Sequence, residues 1–380
     1  MKLGKSALAR FPSPSESEAK VLGCILRGSR VDQPELARAT GLSQQSVSRL
    51  VNELVDRGAL SRGERSANGR RGQPSTTVRI APDYAYSVGV ALMTDAMSVL
   101  LMDFSGVVIA YSYQPMASMR RALVFGKLEA IVNGFIRQHA IDRQRLFGVG
   151  VGISGYCLDG KSRYNPPSAL DDWALIEIDK VVSDALGLPT WVENDGNTAA
   201  IGESFLGAGR TYSNFVYLFI AAGIGGGLIQ DHKLWRGTHG NGAEVGLIVP
   251  RAIYQLPTLE TLLHSLKQHG VRVDTISAML AGFDPNWRGI DEWIEQSRHA
   301  LSLIVSAIAA TVDPEAIVLG GRIPASLAER IIPAIEIYDD ARRAEPRPLP
   351  RLMLSQTEHD ACAIGAAMLP LERHFYSALL

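Results

Sequence analysis

Asn194 and Asp195 close a run that reads as a strand, Trp191-Val192-Glu193, and open a stretch that reads as a helix, Gly196–Glu203. Ligands of α/β proteins bind at the carboxyl ends of strands, where this pair stands. A carboxylate held there beside a substrate hydroxyl is the general base of phosphoryl transfer. The same Asp-Gly-Asn is also turn chemistry that caps a helix. Two glycine-rich turns follow apolar strands, Gly223–Gly227 and Gly320-Gly321. Backbone N–H groups approach a phosphate closely at such turns, and glycines also mark tight strand reversals.

A second set of chemistry-bearing residues lies near the N-terminus. Ser43 caps a helix running to about Arg57, with Val47, Leu50, Val51, Leu54 and Val55 on one face. The opposite face shows Gln44, Gln45, Ser48, Arg49 and Asn52. Amides, hydroxyls and a guanidinium are the groups that reach base edges and phosphates. Gln44, Gln45, Ser46, Ser48 and Arg49 are therefore expected to face DNA.

The elements around that helix fit the same purpose. A short helix from Pro34 to Ala39 precedes it, joined by Thr40-Gly41-Leu42, which makes a helix-turn-helix. Ala59–Arg62 and Ser75–Ile80 read as paired strands around the basic loop GERSANGRRGQP. That loop predicts a wing whose Arg70 and Arg71 enter a minor groove, where negative potential concentrates. An earlier helix opens at Ser15–Glu18 and carries Ala19, Val21, Leu22, Ile25 and Leu26 on its apolar stripe. Residues 1–15, with Pro12 and Pro14, show no periodicity and read as a loose tail.

Composition agrees with this division. The first 80 residues hold 14 Lys+Arg and 7 Asp+Glu, whereas the remaining 300 hold 24 and 32. A basic head on an acidic body suits a head that meets a polyanion and a body that does not. The chain has 380 residues, 46% hydrophobic and 20% charged, enough for two or three domains with sizeable cores. No apolar run reaches the roughly 18 residues of a membrane helix. The N-terminus lacks the apolar stretch of a signal peptide, which predicts a cytoplasmic protein with no membrane partner. Cys24, Cys157 and Cys362 are too few and too far apart for a disulfide framework or a cysteine-rich zinc site. From Tyr84 onward strands and helices alternate, which predicts an α/β body over 81–380 behind a DNA-binding domain over 1–80.

Several segments together resemble the ROK family of repressors, open reading frames and sugar kinases. They are VENDGNTAAIGE (192–203), GIGGGLI…KLWRG (223–237), GAEVG (242–246), DPEAIVLGG (313–321) and AIGAAM (363–368). The resemblance implies a two-lobed actin/hexokinase-like (ribonuclease H-like) ATPase fold with a cleft between the lobes. The winged helix-turn-helix is similar to that of the family's repressor branch.

Departures from the family's motifs narrow what the resemblance implies. The kinases' phosphate loop, Gly-x-Asp-x-Gly-Gly-Thr, falls on Gly89–Asp95. Ala91 replaces the acid that helps hold a metal, and Met93 and Thr94 replace both loop glycines. Asp95 takes the place of a hydroxyl and would repel a phosphate. The second phosphate motif, Gly-Thr-Gly, reads Ala221-Ala222-Gly223. Loss of nucleotide binding and phosphoryl transfer follows, with no cofactor and no catalytic residue. The family's zinc-binding His and three cysteines are replaced by Leu247 and a cysteine-free segment, 247–260, so no metal is expected.

The sugar side is better kept. Asn194 and Asp195 match the family's hydroxyl-binding pair, Glu244 the Glu of Glu-x-Gly-His, and Glu260 the Glu of Gly-Cys-Leu-Glu. Three carboxylates and an amide suit a polyhydroxylated ligand. The family's Asn ahead of a conserved Trp falls on Ala169, which with Leu247 implies a more apolar wall. The resulting expectation is a sequence-specific transcriptional regulator of carbohydrate-related genes, acting as a repressor. Its partners are double-stranded operator DNA, a sugar-like effector and further copies of itself. A bifunctional kinase with a DNA-binding domain, or a regulator controlled by a protein partner, are the competing readings.

Overall fold

The computed structural model describes residues 10–28, 31–65, 76–339 and 345–376. The head comprises α1 (Glu16–Gly28), α2 (Gln33–Thr40), α3 (Gln44–Asp56), β1 (Leu60–Arg65) and β2 (Thr76–Ile80). Asp32 caps α2 by accepting from the Glu35 N–H, and Gly41 ends it at φ 71°. That left-handed residue makes the sharp turn before Ser43 caps α3. Val47, Leu50, Val51 and Leu54 are buried, as their spacing predicts. β1 and β2 pair antiparallel, with Leu60 opposite Ile80. Arg70 and Arg71, offered as the wing's contacts, lie outside the described residues.

The body follows with β3 (Tyr86–Leu92), β4 (Ala96–Asp103), β5 (Val108–Pro115), α4 (Arg121–Gln138), β6 (Leu146–Ile153), α5 (Ile178–Leu186), β7 (Thr190–Asn194) and α6 (Asp195–Leu206). It continues through β8 (Phe215–Ile220), β9 (Ile224–Gln230), β10 (Lys233–Trp235), α7 (Leu259–Gln268), α8 (Ile276–Ala281) and α9 (Ile290–Thr311). β11 (Ala316–Gly321), α10 (Ala325–Ile331), β12 (Arg351–Leu354) and α11 (Ala361–Leu371) complete it.

These strands form two sheets of one design. The first runs β5-β4-β3-β6-β7 and the second β10-β9-β8-β11-β12. In each, the first three strands pair antiparallel and the last three parallel. This repeat is the two-lobed actin/hexokinase-like architecture the sequence led us to expect. Helix α11 is buried along its whole length and lies at the junction. It reaches backbone contact with both sides: a Cβ on Gly150 would fall 1.7 Å from the Ala366 carbonyl oxygen, and one on Gly365 1.7 Å from that of Thr198.

Two expectations change. Gly225–Gly227 lie within β9 and not in a turn. Their smallness serves packing: a Cβ on Gly227 would sit 2.5 Å from Ala200 on α6, and one on Gly196 2.5 Å from the Gly226 carbonyl oxygen. The segment before α1 is not loose throughout. Phe11 is buried and meets the rings of Tyr84, Phe147 and Phe375 edge-on at 5.5–6.0 Å. The His374 ring and the Phe11 carbonyl are joined by a 2.8 Å hydrogen bond. A lone aromatic between prolines has no periodicity to reveal it, so only the tertiary structure shows that it bolts the head to the body. Among the described residues, no helix is long and apolar enough to cross a membrane.

Candidate effector cleft and DNA-binding face

β7 runs straight into α6, and Asn194 is the cap between them. Its side-chain oxygen accepts from the N–H groups of Gly196 and Asn197 at 2.8 and 3.1 Å, and its amide donates to the Gly155 carbonyl at 3.2 Å. Asn194, and not Asp195, is therefore the cap of α6. Asp195 turns instead toward Ser154, whose hydroxyl donates to it. Both residues border a cleft of about 430 Å³ between the lobes, as do Glu244 and Glu260.

The four expected residues thus share one cleft. Glu260 is exposed in the first turn of α7, whose cap is Thr258. Glu244 is half-buried opposite Asp195. Burial first, and then the Asp195 charge, pushes its carboxyl up to about 7. Burial also raises Asp195, against the hydrogen bond from Ser154. The nearby Asp195 charge thus disfavours ionisation of Glu244. Leu247 borders the cleft as expected, whereas Ala169 does not. Asn165, in a two-residue strand paired with Tyr156, and Arg251, in a turn, do, and sequence matching passed over both because such short segments carry no periodic signal.

Beside the Gly89–Asp95 segment the cleft narrows. The hairpin after β3 is tight, with the Met93 N–H donating to the Ala96 carbonyl at 3.0 Å. It presents Asp95 to Arg322, just beyond β11, at 2.5 Å. The Ser277 N–H donates to the same carboxylate at 2.7 Å, and Arg322 donates to the Tyr113 and Ser277 hydroxyls at 2.7 and 3.0 Å. Burial alone would raise the Asp95 carboxyl, but Arg322 and these hydrogen bonds hold it below its usual value. The space left beside Ala91, Thr94, Ala221 and Arg322 is about 20 Å³. That is room for about one water.

In the head, Gln44, Gln45 and Arg49 are exposed along α3, and Ser46 and Ser48 are half-exposed beside them. Arg49 pairs with Glu53 at 2.8 Å on the helix surface. Such an i,i+4 pair is worth about 0.3–0.5 kcal/mol, so it yields readily to a phosphate. Asn52 is held by Arg62, which donates to it at 2.8 Å.

Comparison with known proteins agrees with both halves. Residues 96–258 match the ROK family, and residues 14–72 match the MarR family. The chain therefore carries a ROK family domain, with a MarR-type winged helix-turn-helix in front. It is 29% identical over 226 residues to the xylose repressor of Bacillus subtilis, an alignment covering 58% of this chain and 57% of that protein. The chain thus spans just over half the length of that relative. It is 23% identical over 376 residues to the Escherichia coli DNA-binding transcriptional dual regulator NagC, covering 92% and 91%. A solved ROK family transcriptional regulator, described as a homologue of the E. coli MLC protein, superposes with a TM-score of 0.67 at 19% identity over 96% of this chain and 97% of that one. At that identity the superposition establishes the fold. For the ROK domain here, the two-sheet repeat and the cleft follow from it.

Proposed function

We propose that the chain is a sequence-specific DNA-binding transcriptional regulator of carbohydrate-related genes, acting as a repressor in the cytoplasm. Residues 1–80 bind operator DNA through α3 and the wing. Residues 81–380 bind a sugar or sugar derivative and join copies into a homo-oligomer. The names of the xylose repressor and NagC support the regulator reading.

The observation that carries the proposal is the asymmetry of the cleft. Its sugar side keeps Asp195, Glu244 and Glu260 around open space. Its phosphate side is filled by the Asp95–Arg322 pair. A nucleotide triphosphate needs that pair removed and its own charge placed against Asp95, so phosphoryl transfer is not the function. Asp195 then serves as a hydroxyl acceptor and not as a base. A panel of monosaccharides, polyols and sugar phosphates tests this in two assays. At least one compound should alter operator binding in a gel shift, and none should release ADP from ATP. Steady ADP release with any of them would favour a bifunctional kinase. Operator binding indifferent to the whole panel would favour control by a protein partner.

A further inference from the structure

Behind the cleft, a partly buried cation, Arg236, is paired with one buried carboxylate and feels the charge of a second. Glu193 is the residue before the Asn194–Asp195 pair, and its side chain is 5% exposed. Arg236, in the loop after β10, donates from Nε to Glu193 at 2.7 Å. Arg373 approaches the same carboxylate at 3.7 Å. The loop carrying Arg236 leads directly to the cleft, since its carbonyl accepts from the Gly242 N–H at 2.9 Å, two residues before Glu244.

Glu372 is the second carboxylate. It is buried, and its Oε2 has no hydrogen-bond partner; the Arg236 Nη2 is likewise buried and unpartnered. No ion pair joins the two, yet the Arg236 charge is the foremost influence opposing the rise that burial imposes on the Glu372 carboxyl. Leaving a buried donor and a buried acceptor unmade is costly, and a movement that pairs them removes the cost. Glu372 also opens the turn Glu372–Tyr376. That turn holds the head, through the His374 bond to Phe11 and the contact of Phe375 with the Phe11 ring.

We propose that Arg236 is a two-position switch between effector cleft and DNA-binding head, passing from Glu193 to Glu372 as the lobes move. With Arg236 on Glu193, the turn Glu372–Tyr376 is free of lobe 2. With Arg236 on Glu372, lobe motion pulls the turn, and Phe11 carries the displacement to α1. This supplies the discrete two-state element that coupling between distant sites requires. It deepens the regulator reading, because it says how occupancy of that cleft reaches the DNA.

Hydrogen exchange on the full chain, without DNA or sugar, tests the switch independently of that reading. Glu193→Gln should send Arg236 to Glu372 and change amide exchange in Glu372–Tyr376 and α1 by at least fivefold. Glu193→Asp, with its charge drawn back, should show the same pattern more weakly. Glu372→Gln leaves the observed pair intact and should exchange like the unaltered chain. Unchanged exchange in α1 of a folded Glu193 variant would overturn the switch. So would Glu372→Gln reproducing the Glu193→Gln pattern, which a merely structural cluster would give. Failure of both Glu193 variants to fold would also overturn it, since the second pairing must sustain the fold. A sugar response in the panel assay alongside any of these results would leave the cleft reading standing.

Discussion

Asp95 and Arg322 span the two lobes at 2.5 Å, with 18% and 6% of their side chains exposed. Removing one partner leaves the other charge buried without compensation, which costs about 3–5 kcal/mol. Asp95→Ala should lose stability of that order in urea denaturation. The double variant Asp95→Leu with Arg322→Met should lose clearly less than Asp95→Ala. Equal losses would show that the pair's charges do not matter. Because the folded Asp95 carboxyl lies below its unfolded value near 3.9, its contribution is full above about pH 4 and fades as pH falls through the folded value.

Glu244 carries the opposite sign. Burial and the Asp195 charge lift it to about 7, above the roughly 4.3 of the unfolded chain. Its stabilising contribution is complete below about pH 4.3 and is lost as pH rises through 7. Raising pH from 5 to 8 should therefore lower the melting temperature of the unaltered chain relative to Glu244→Gln. Parallel melting profiles for the two would refute a raised Glu244.

DNA contacts divide into two kinds. Gln45→Ala and Arg49→Ala should each cost about 1–3 kcal/mol of operator affinity and relax one base position if they meet base edges. Unchanged affinity of the double variant in a gel shift would place α3 elsewhere. Arg70→Ala with Arg71→Ala should weaken binding to most sequences and flatten its salt dependence, as loss of phosphate contacts does.

Much of this was legible in the sequence, for physical reasons. The head reads directly because its apolar residues repeat every three to four positions and its punctuation, Ser43 and Gly41, is local chemistry. The replaced phosphate loop reads as replaced, but not as latched. Asp95 looked like a repeller of ligand because Arg322 lies 227 residues away in the chain. Asn194 borders the cleft as the sequence suggested, and its cap and its bond to Gly155, which only three-dimensional neighbours reveal, fix its side chain there. Ala169 failed for a related reason: matching across an irregular loop has no periodicity to fix the register, and Asn165 borders the cleft instead.

An operator read by two heads needs two chains. A single winged helix covers a short half-site, and two-fold symmetric proteins match pseudo-palindromic sites. Sedimentation at micromolar concentration should give at least twice the 41.1 kDa of one chain. A mass near one chain would remove the basis for paired heads.

Sensing in the cleft is tested most directly by separating it from DNA binding. Asp195→Ala with Glu244→Ala removes two of the cleft's acids and touches nothing on α3. Operator affinity is measured with and without a sugar that alters binding by the unaltered chain, a response expected to correspond to about 1–3 kcal/mol of coupling. The double variant should bind the operator as tightly as the unaltered chain and show no response to that sugar. A response of undiminished size would place the sensing site outside this cleft.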